Sequence, residues 1–181
     1  MSAQILIAGF GGQGVLSMGK MLAEAAMAEG KEVSWLPSYG PEMRGGTSNV
    51  AVNISEEPIG APIISSGDAT AVIVMNLPSL VKFEEYVKPG GLLLVNSSII
   101  DQKAKRSDID VVYVKANEIA ADLGTAKAAN MVLLGAYLAK AKVVKPESLL
   151  AQIQEIFGAK KPELVELNKK AIEKGAAAAA S

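Results

Sequence analysis

The sequence predicts a three-layer α/β/α sandwich built on a mostly parallel, mixed, Rossmann-like sheet, and three observations predict it. Apolar runs of strand length recur at 4–8, 32–36, 71–76, 92–97 and 110–115, separated mainly by segments with helical spacing. The first run ends directly in a glycine-rich turn that opens a helix. Residues 47–55 instead alternate, with Val50, Val52 and Ile54 on one face and Asn49, Ala51 and Asn53 on the other, which predicts a half-exposed strand inserted among the parallel ones.

Taken in order, 4–8 is a short continuous apolar strand and 15–29 is a helix. Leu16, Gly19, Leu22, Ala23 and Ala26 fall on one face of that helix, and Lys20, Glu24 and Glu29 fall elsewhere. Gly30 ends the helix, and 32–36 is the second strand. Residues 37–46 hold two prolines and three glycines, so they read as a structured loop. The strand at 47–55 is followed by 58–64, expected to return as the second arm of an inserted hairpin. A further βαβ unit follows: a strand at 71–76, a helix at 78–87 with Pro78 near its first turn, a stop at Lys88, Pro89, Gly90 and Gly91, and a strand at 92–97. After the strand at 110–115 the chain reads as helical: 118–123, 128–142, 146–157 and 162–174. Residues 1–175 are read as one domain, and 176–181 as a low-complexity tail expected to fray.

Composition narrows the chemistry. Half of the 181 residues are hydrophobic, enough for one well-buried core. A balance of 18 basic against 19 acidic residues gives no bulk attraction to nucleic acid or anionic membrane. There is no cysteine and no histidine, which removes the usual ligands of iron–sulfur clusters, zinc and haem. No metal site and no catalytic acid or base is assigned. The longest apolar stretch, 131–139, is far below the ~20 residues of a spanning helix, and the N-terminus lacks a signal-peptide pattern, so the cytoplasm is the expected location. Surplus Ala, Val, Ile and Leu suits either helix-on-sheet packing or a subunit interface.

Two loops carry the candidate site. Gly9, Gly11 and Gly14 have the spacing G-x-G-x-x-G after a strand, the context of a dinucleotide fingerprint. The acidic residue that should end the second strand is missing: Trp35, Leu36 and Pro37 stand there, and Glu32 lies at the wrong end. The turn carries in addition Gly12 and Gln13, whose N–H groups and amide fork suit an anion or carbonyl. Equally, the glycines let strand and helix pack closely, with Gln13 satisfying a backbone group in a partner or a neighbouring loop. In the second loop Ser38, Tyr39, Glu42, Arg44, Gly45 and Gly46 set a phenol, a carboxylate and a guanidinium close together. Arg44 either clamps an external carboxylate or phosphate, or pairs internally with Glu42. Both loops, and the polar strand ends at Asn76 and Asn96, are expected at the carboxyl end of the sheet.

The texts GFGGQGV at 9–15, SYGPEMRGGTSN at 38–49, AVIVMN at 71–76 and KPGGLLLVNSS at 88–98 occur together and in this order. In them the chain resembles the gamma subunits of the 2-oxoacid:ferredoxin oxidoreductases, nearer to members acting on 2-oxoglutarate or branched 2-oxoacids such as ketoisovalerate than to pyruvate members. The resemblance implies an oxygen-sensitive enzyme of anaerobic metabolism that oxidatively decarboxylates a 2-oxoacid and releases an acyl-coenzyme A. The thiamine diphosphate and the iron–sulfur clusters belong to its alpha, beta and ferredoxin-like subunits, and this chain holds no cofactor of its own. It implies coenzyme A as a substrate shared across the subunits, and Gly9, Gly11, Gly12, Gln13, Gly14, Ser38, Tyr39, Glu42, Arg44, Gly45 and Gly46 as binding or interface positions. The isolated chain is also a candidate homodimer. Two rival readings stand beside it: a free-standing NAD- or FAD-binding reductase, and a purely structural assembly subunit.

Overall fold

A computed structural model describes residues 2–38 and 47–181. Six strands form one sheet in the order β2-β3-β1-β4-β5-β6, with helices on both faces. Strand β1 (Ala3–Phe10) leads through helix α1 (Val15–Ala28) to β2 (Glu32–Ser38), and β3 (Thr47–Ser55) then runs back between β2 and β1, antiparallel to both. Strand β4 (Ala69–Val74) pairs parallel to β1 on its other side, helix α2 (Leu77–Phe83) crosses to β5 (Val87–Asn96), and β6 (Asp110–Val114) closes the sheet in parallel. Helices α3 (Ala116–Asp122), α4 (Ala129–Ala141), α5 (Pro146–Phe157) and α6 (Pro162–Ala180) complete the chain.

The mixed sheet and helical C-terminus agree with expectation, but the hairpin is built differently. Its two arms are β2 and β3, in register from Glu32 with Ser55 to Ser38 with Asn49, and 58–64 is not a strand. The reason is geometric. Both edges of β3 are already paired, and Pro58 and Pro62 cannot donate to a ladder. Nor is β3 half-exposed: Ser48 and Asn53 are buried. Asn53 Nδ2 donates to Ser34 Oγ and to the Pro62 carbonyl, both at 2.9 Å, so the 58–64 segment lies over β3 as irregular chain and supplies the acceptor that a polar inner residue needs.

Two apolar layers hold the sandwich. On one face α1 rests on β3 and β2 through Gly19, where a methyl would stand 2.7 Å from Val50 Cγ1. Behind it α4 is buried on nearly every side from Ala129 to Leu138, which suits a helix whose sequence is apolar all round. It meets α6 at glycines: a side chain at Gly135 would collide with the Ile172 backbone, and one at Gly175 with the Val132 carbonyl. On the other face Leu80 and Phe83 pin α2 to Val72, Val74, Leu93 and Val95. Fully burying side chains of that size contributes about 1.5–3 kcal/mol each.

Several boundaries differ from the sequence reading; the helix expected over 78–87, for one, ends at Phe83. Pro37 lies inside β2, which is an edge strand and tolerates a missing donor. The tract Lys88 to Gly91 belongs to β5, entered through an irregularity opposite Ala69 and Ala71. The alanine tail continues α6 to Ala180, with Ala179 buried, because alanine is the strongest helix former. No helix among the described residues is long and apolar enough to cross a membrane.

Candidate binding cleft at the carboxyl end of the sheet

Strands β2, β1, β4, β5 and β6 all run the same way, so their carboxyl ends share one edge of the sheet. From β1 the chain turns to α1 on one face, and from β4 to α2 on the other. A crevice opens where two such connections part, and in sheets of this kind ligands sit there.

The turn after β1 forms one wall. Gly9 is buried, and a methyl on it would approach Gln13 Oε1 to 2.7 Å, Val15 Cγ2 to 2.9 Å and Met75 Cβ to 3.0 Å, so this position excludes any side chain. Gly12 and Gly14 adopt φ of 86° and 77°, the left-handed region that glycine enters without strain. Gly14 caps α1 without a side-chain acceptor, and as at any helix start the first N–H groups have no intrahelical partner. Gly11 and Gly12 are exposed.

Gln13 braces the turn. Its Oε1 accepts from the Phe10 N–H at 2.6 Å, and its Nε2 donates to the Met75 carbonyl at 3.3 Å. Of the two roles that the residue types left open, the structure shows Gln13 satisfying neighbouring backbone groups. Gly11 and Gly12 leave this turn with an exposed stretch of glycine backbone.

Asn76 and Asn96 do lie at the strand ends, where the first caps a helix and the second holds the turn beyond its strand. Asn76 Oδ1 accepts from the Ser79 N–H at 2.9 Å and starts α2. Asn96 Nδ2 donates to Asn117 Oδ1 at 2.8 Å, while Ser98 Oγ accepts from the N–H groups of Asn117 and Glu118 at 3.1 and 3.3 Å. These bonds fix the start of α3 beside the crevice.

The crevice itself is a cleft of about 230 Å³ lined by Gly12, Gln13, Met75, Asn117, Ala126, Lys127 and Ala129. Among the described residues no carboxylate, imidazole or thiol lines it, so they can bind and orient a ligand but offer no general base. Among the described residues Lys127 is its one formal charge. It is exposed, lies on a short 3₁₀ turn whose N–H is held by Thr125 Oγ1 at 3.2 Å, and forms no ion pair with any described carboxylate. Asn117 and Lys127 carry no local motif; folding alone brings them to the glycine turn.

Of the second loop, Ser38 ends β2 opposite Asn49, and Thr47, on which the loop closes, is the registered partner of Phe10. The loop is thus anchored at the same edge as the glycine turn, with Ser38 about 10 Å from β1 across the intervening strand. Tyr39, Glu42, Arg44, Gly45 and Gly46 lie outside the described residues.

A larger cavity, about 590 Å³ between α4 and α6, lies at the opposite end of the sheet. Its polar rim is already committed. Glu29 accepts from the Lys145 N–H at 2.7 Å and pairs with Lys31 Nζ at 2.9 Å. Burial pushes the Glu29 carboxyl up, but the Lys145 amide, the Ser148 hydroxyl and the Lys31 ammonium outweigh it and hold the pKa at about 2. That cluster is a latch between α1, β2 and the α4–α5 connection.

Comparison with known proteins places the chain among relatives. The sequence model of the pyruvate ferredoxin/flavodoxin oxidoreductase family matches residues 4–178. Ketoisovalerate oxidoreductase subunit VorA of Methanothermobacter marburgensis is 41% identical over 174 residues, which cover 96% of this chain and 36% of VorA; the chain thus spans about a third of that relative. The 2-oxoglutarate synthase subunit KorC of Methanocaldococcus jannaschii is 33% identical over 152 residues, 82% of this chain and 80% of KorC. The crystal structure of the keto/oxoacid ferredoxin oxidoreductase gamma subunit from Geobacter sulfurreducens superposes with a TM-score of 0.83 at 32% identity, covering 98% of both chains.

Proposed function

Because this chain belongs to the pyruvate ferredoxin/flavodoxin oxidoreductase family, we propose that it is the gamma subunit of a cytoplasmic 2-oxoacid:ferredoxin oxidoreductase. The whole assembly oxidatively decarboxylates a 2-oxoacid, passes the electrons to ferredoxin and releases the acyl group on coenzyme A. The observation that carries this reading is the end-to-end correspondence with the Geobacter sulfurreducens gamma subunit, supported by the match to most of KorC. A free-standing NAD- or FAD-dependent reductase gains no support from these relatives. The sequence also lacks the ribose-binding acid at the end of β2.

The donor set fits neither of the redox-active groups such an assembly uses. The chain has no thiolate or imidazole for a cluster, and no group of three acidic residues among those described could hold the divalent ion that a diphosphate requires. As the family resemblance implies, thiamine diphosphate and clusters are assigned to alpha, beta and ferredoxin-like subunits. What the described residues offer is a cleft with glycine backbone on one wall and Lys127 on the other, chemistry suited to an anionic group of coenzyme A. The substrate class assigned is a branched-chain 2-oxoacid or 2-oxoglutarate, in keeping with the names of VorA and KorC. Gly9, Gly11, Gly12, Gln13, Gly14 and Ser38, together with Tyr39, Glu42, Arg44, Gly45 and Gly46, are assigned to the binding and interface edge. Anaerobic purification through a tag on this chain tests the reading. Recovery of thiamine-binding subunits with coenzyme A-dependent reduction of ferredoxin supports it, and a lone inactive chain refutes it.

A further inference from the structure

Eight large apolar side chains are exposed among the described residues, and their distribution is uneven. Leu36, Phe10, Leu77 and Ile99 lie at or just past the carboxyl ends of β2, β1, β4 and β5, and Val81 follows Leu77 one turn along α2. All five are between 39% and 62% exposed. Ile63 shares a groove with Leu36 and Pro37. Four strand spacings separate the two ends of this row, so it extends for about 19 Å along the edge that frames the cleft.

Charge is sparse along the row itself, with Lys82 at the groove that holds Leu36 and Ile63 and Lys127 in the cleft. Residues 2–19, 69–81 and 89–100, which supply the ends of β1, β4 and β5 and the turns beyond them, contain no Asp, Glu, Lys or Arg. Depletion of charge with retention of large apolar groups is the signature of an interface core. A lone soluble chain gains nothing from concentrating such groups on one edge.

We infer that this row is the docking surface for the partner subunit whose own surface completes the cleft, and that the matching face of that partner is apolar and uncharged. The inference rests on the gamma-subunit reading and extends it by naming the contact surface. A heterologous partner is favoured over a second copy because VorA carries the matched segment inside a chain nearly three times its length, so in that relative the same fold is tethered to further polypeptide. Because the row flanks Gly12, Gln13 and Met75, the partner covers the cleft as it docks and excludes water from it.

The test is anaerobic purification of the complex through a tag on the full chain, comparing the wild type with the double variant Leu77→Glu, Ile99→Glu and with Met27→Glu at the far end of α1. The double variant is expected to lose at least tenfold of the co-purifying partner with an unchanged melting temperature, and Met27→Glu is expected to lose none. Hydrogen exchange on the unmodified complex gives a second readout: amides at 9–14, 76–81 and 97–101 slow on assembly. Full recovery of partner by the double variant, or no slowing at these amides, overturns the surface and leaves the gamma-subunit reading standing. A wild-type chain that brings down no partner overturns both, and a homodimer broken by the double variant overturns the choice of partner.

Discussion

Gln13 donates its side-chain amide to the Met75 carbonyl at 3.3 Å, joining the turn after β1 to the end of β4 across 62 residues of sequence. With the bond from the Phe10 N–H to Gln13 Oε1 at 2.6 Å, it sets the shape of the cleft wall before any ligand arrives. Replacing Gln13 by Ala removes both bonds, while leaving the Phe10 N–H near solvent where water can take it. The expected loss is about 1–2 kcal/mol. Urea unfolding measures it, and a change below about 0.3 kcal/mol contradicts the brace.

Gly175 admits α6 against α4 at a distance no side chain allows. The Cβ of Gly175→Ala would meet a backbone carbonyl, that of Val132, which cannot rotate away as a flexible side chain could. Overpacking of this kind costs about 1–3 kcal/mol, against which the better helix propensity of alanine recovers at most ~1 kcal/mol. The variant is expected to melt several degrees lower. Stabilisation would mean that the helices cross further apart than described.

Glu29 makes stability depend on acid. Its folded pKa of about 2 lies below the ordinary value of 4.5, so the unfolded chain binds more protons between those values and the ionised carboxylate favours the folded state. Its contribution is complete above about pH 4.5 and disappears as pH falls toward 2. The stability gap between wild type and Glu29→Gln is therefore expected to narrow steadily from pH 5 to pH 2. A gap independent of pH over that window would remove Glu29 from the latch.

Much of the architecture was legible because it is written in local periodicity. The run at 146–157 coincides with α5, and 47–55 with β3, because Pro146 fixes a helix start and alternation marks a strand. Pairing was not legible. Nothing between Thr47 and Ser55 says that both of its edges are taken; that fact, with Pro58 and Pro62 unable to donate, keeps 58–64 out of the ladder, and the segment instead lies over Asn53. The site was half legible. The turn at Gly9 to Gly14 announced itself through glycines that the backbone needs, whereas Asn117 and Lys127 reach it through the packing of α3 and α4. Gln13 was ambiguous by nature, since an amide fork serves a ligand or a neighbouring backbone equally well, and only the position of Met75 decides between them.

The proposed meeting of the cleft beside the glycine turn with an anionic group of coenzyme A is tested by Lys127→Ala in the reconstituted, anaerobic complex. An exposed cation lost from a binding contact should raise the KM for coenzyme A about three- to tenfold while leaving kcat and the KM for the 2-oxoacid unchanged. Unaltered KM for coenzyme A in a fully assembled complex would remove Lys127 and its cleft from coenzyme A binding.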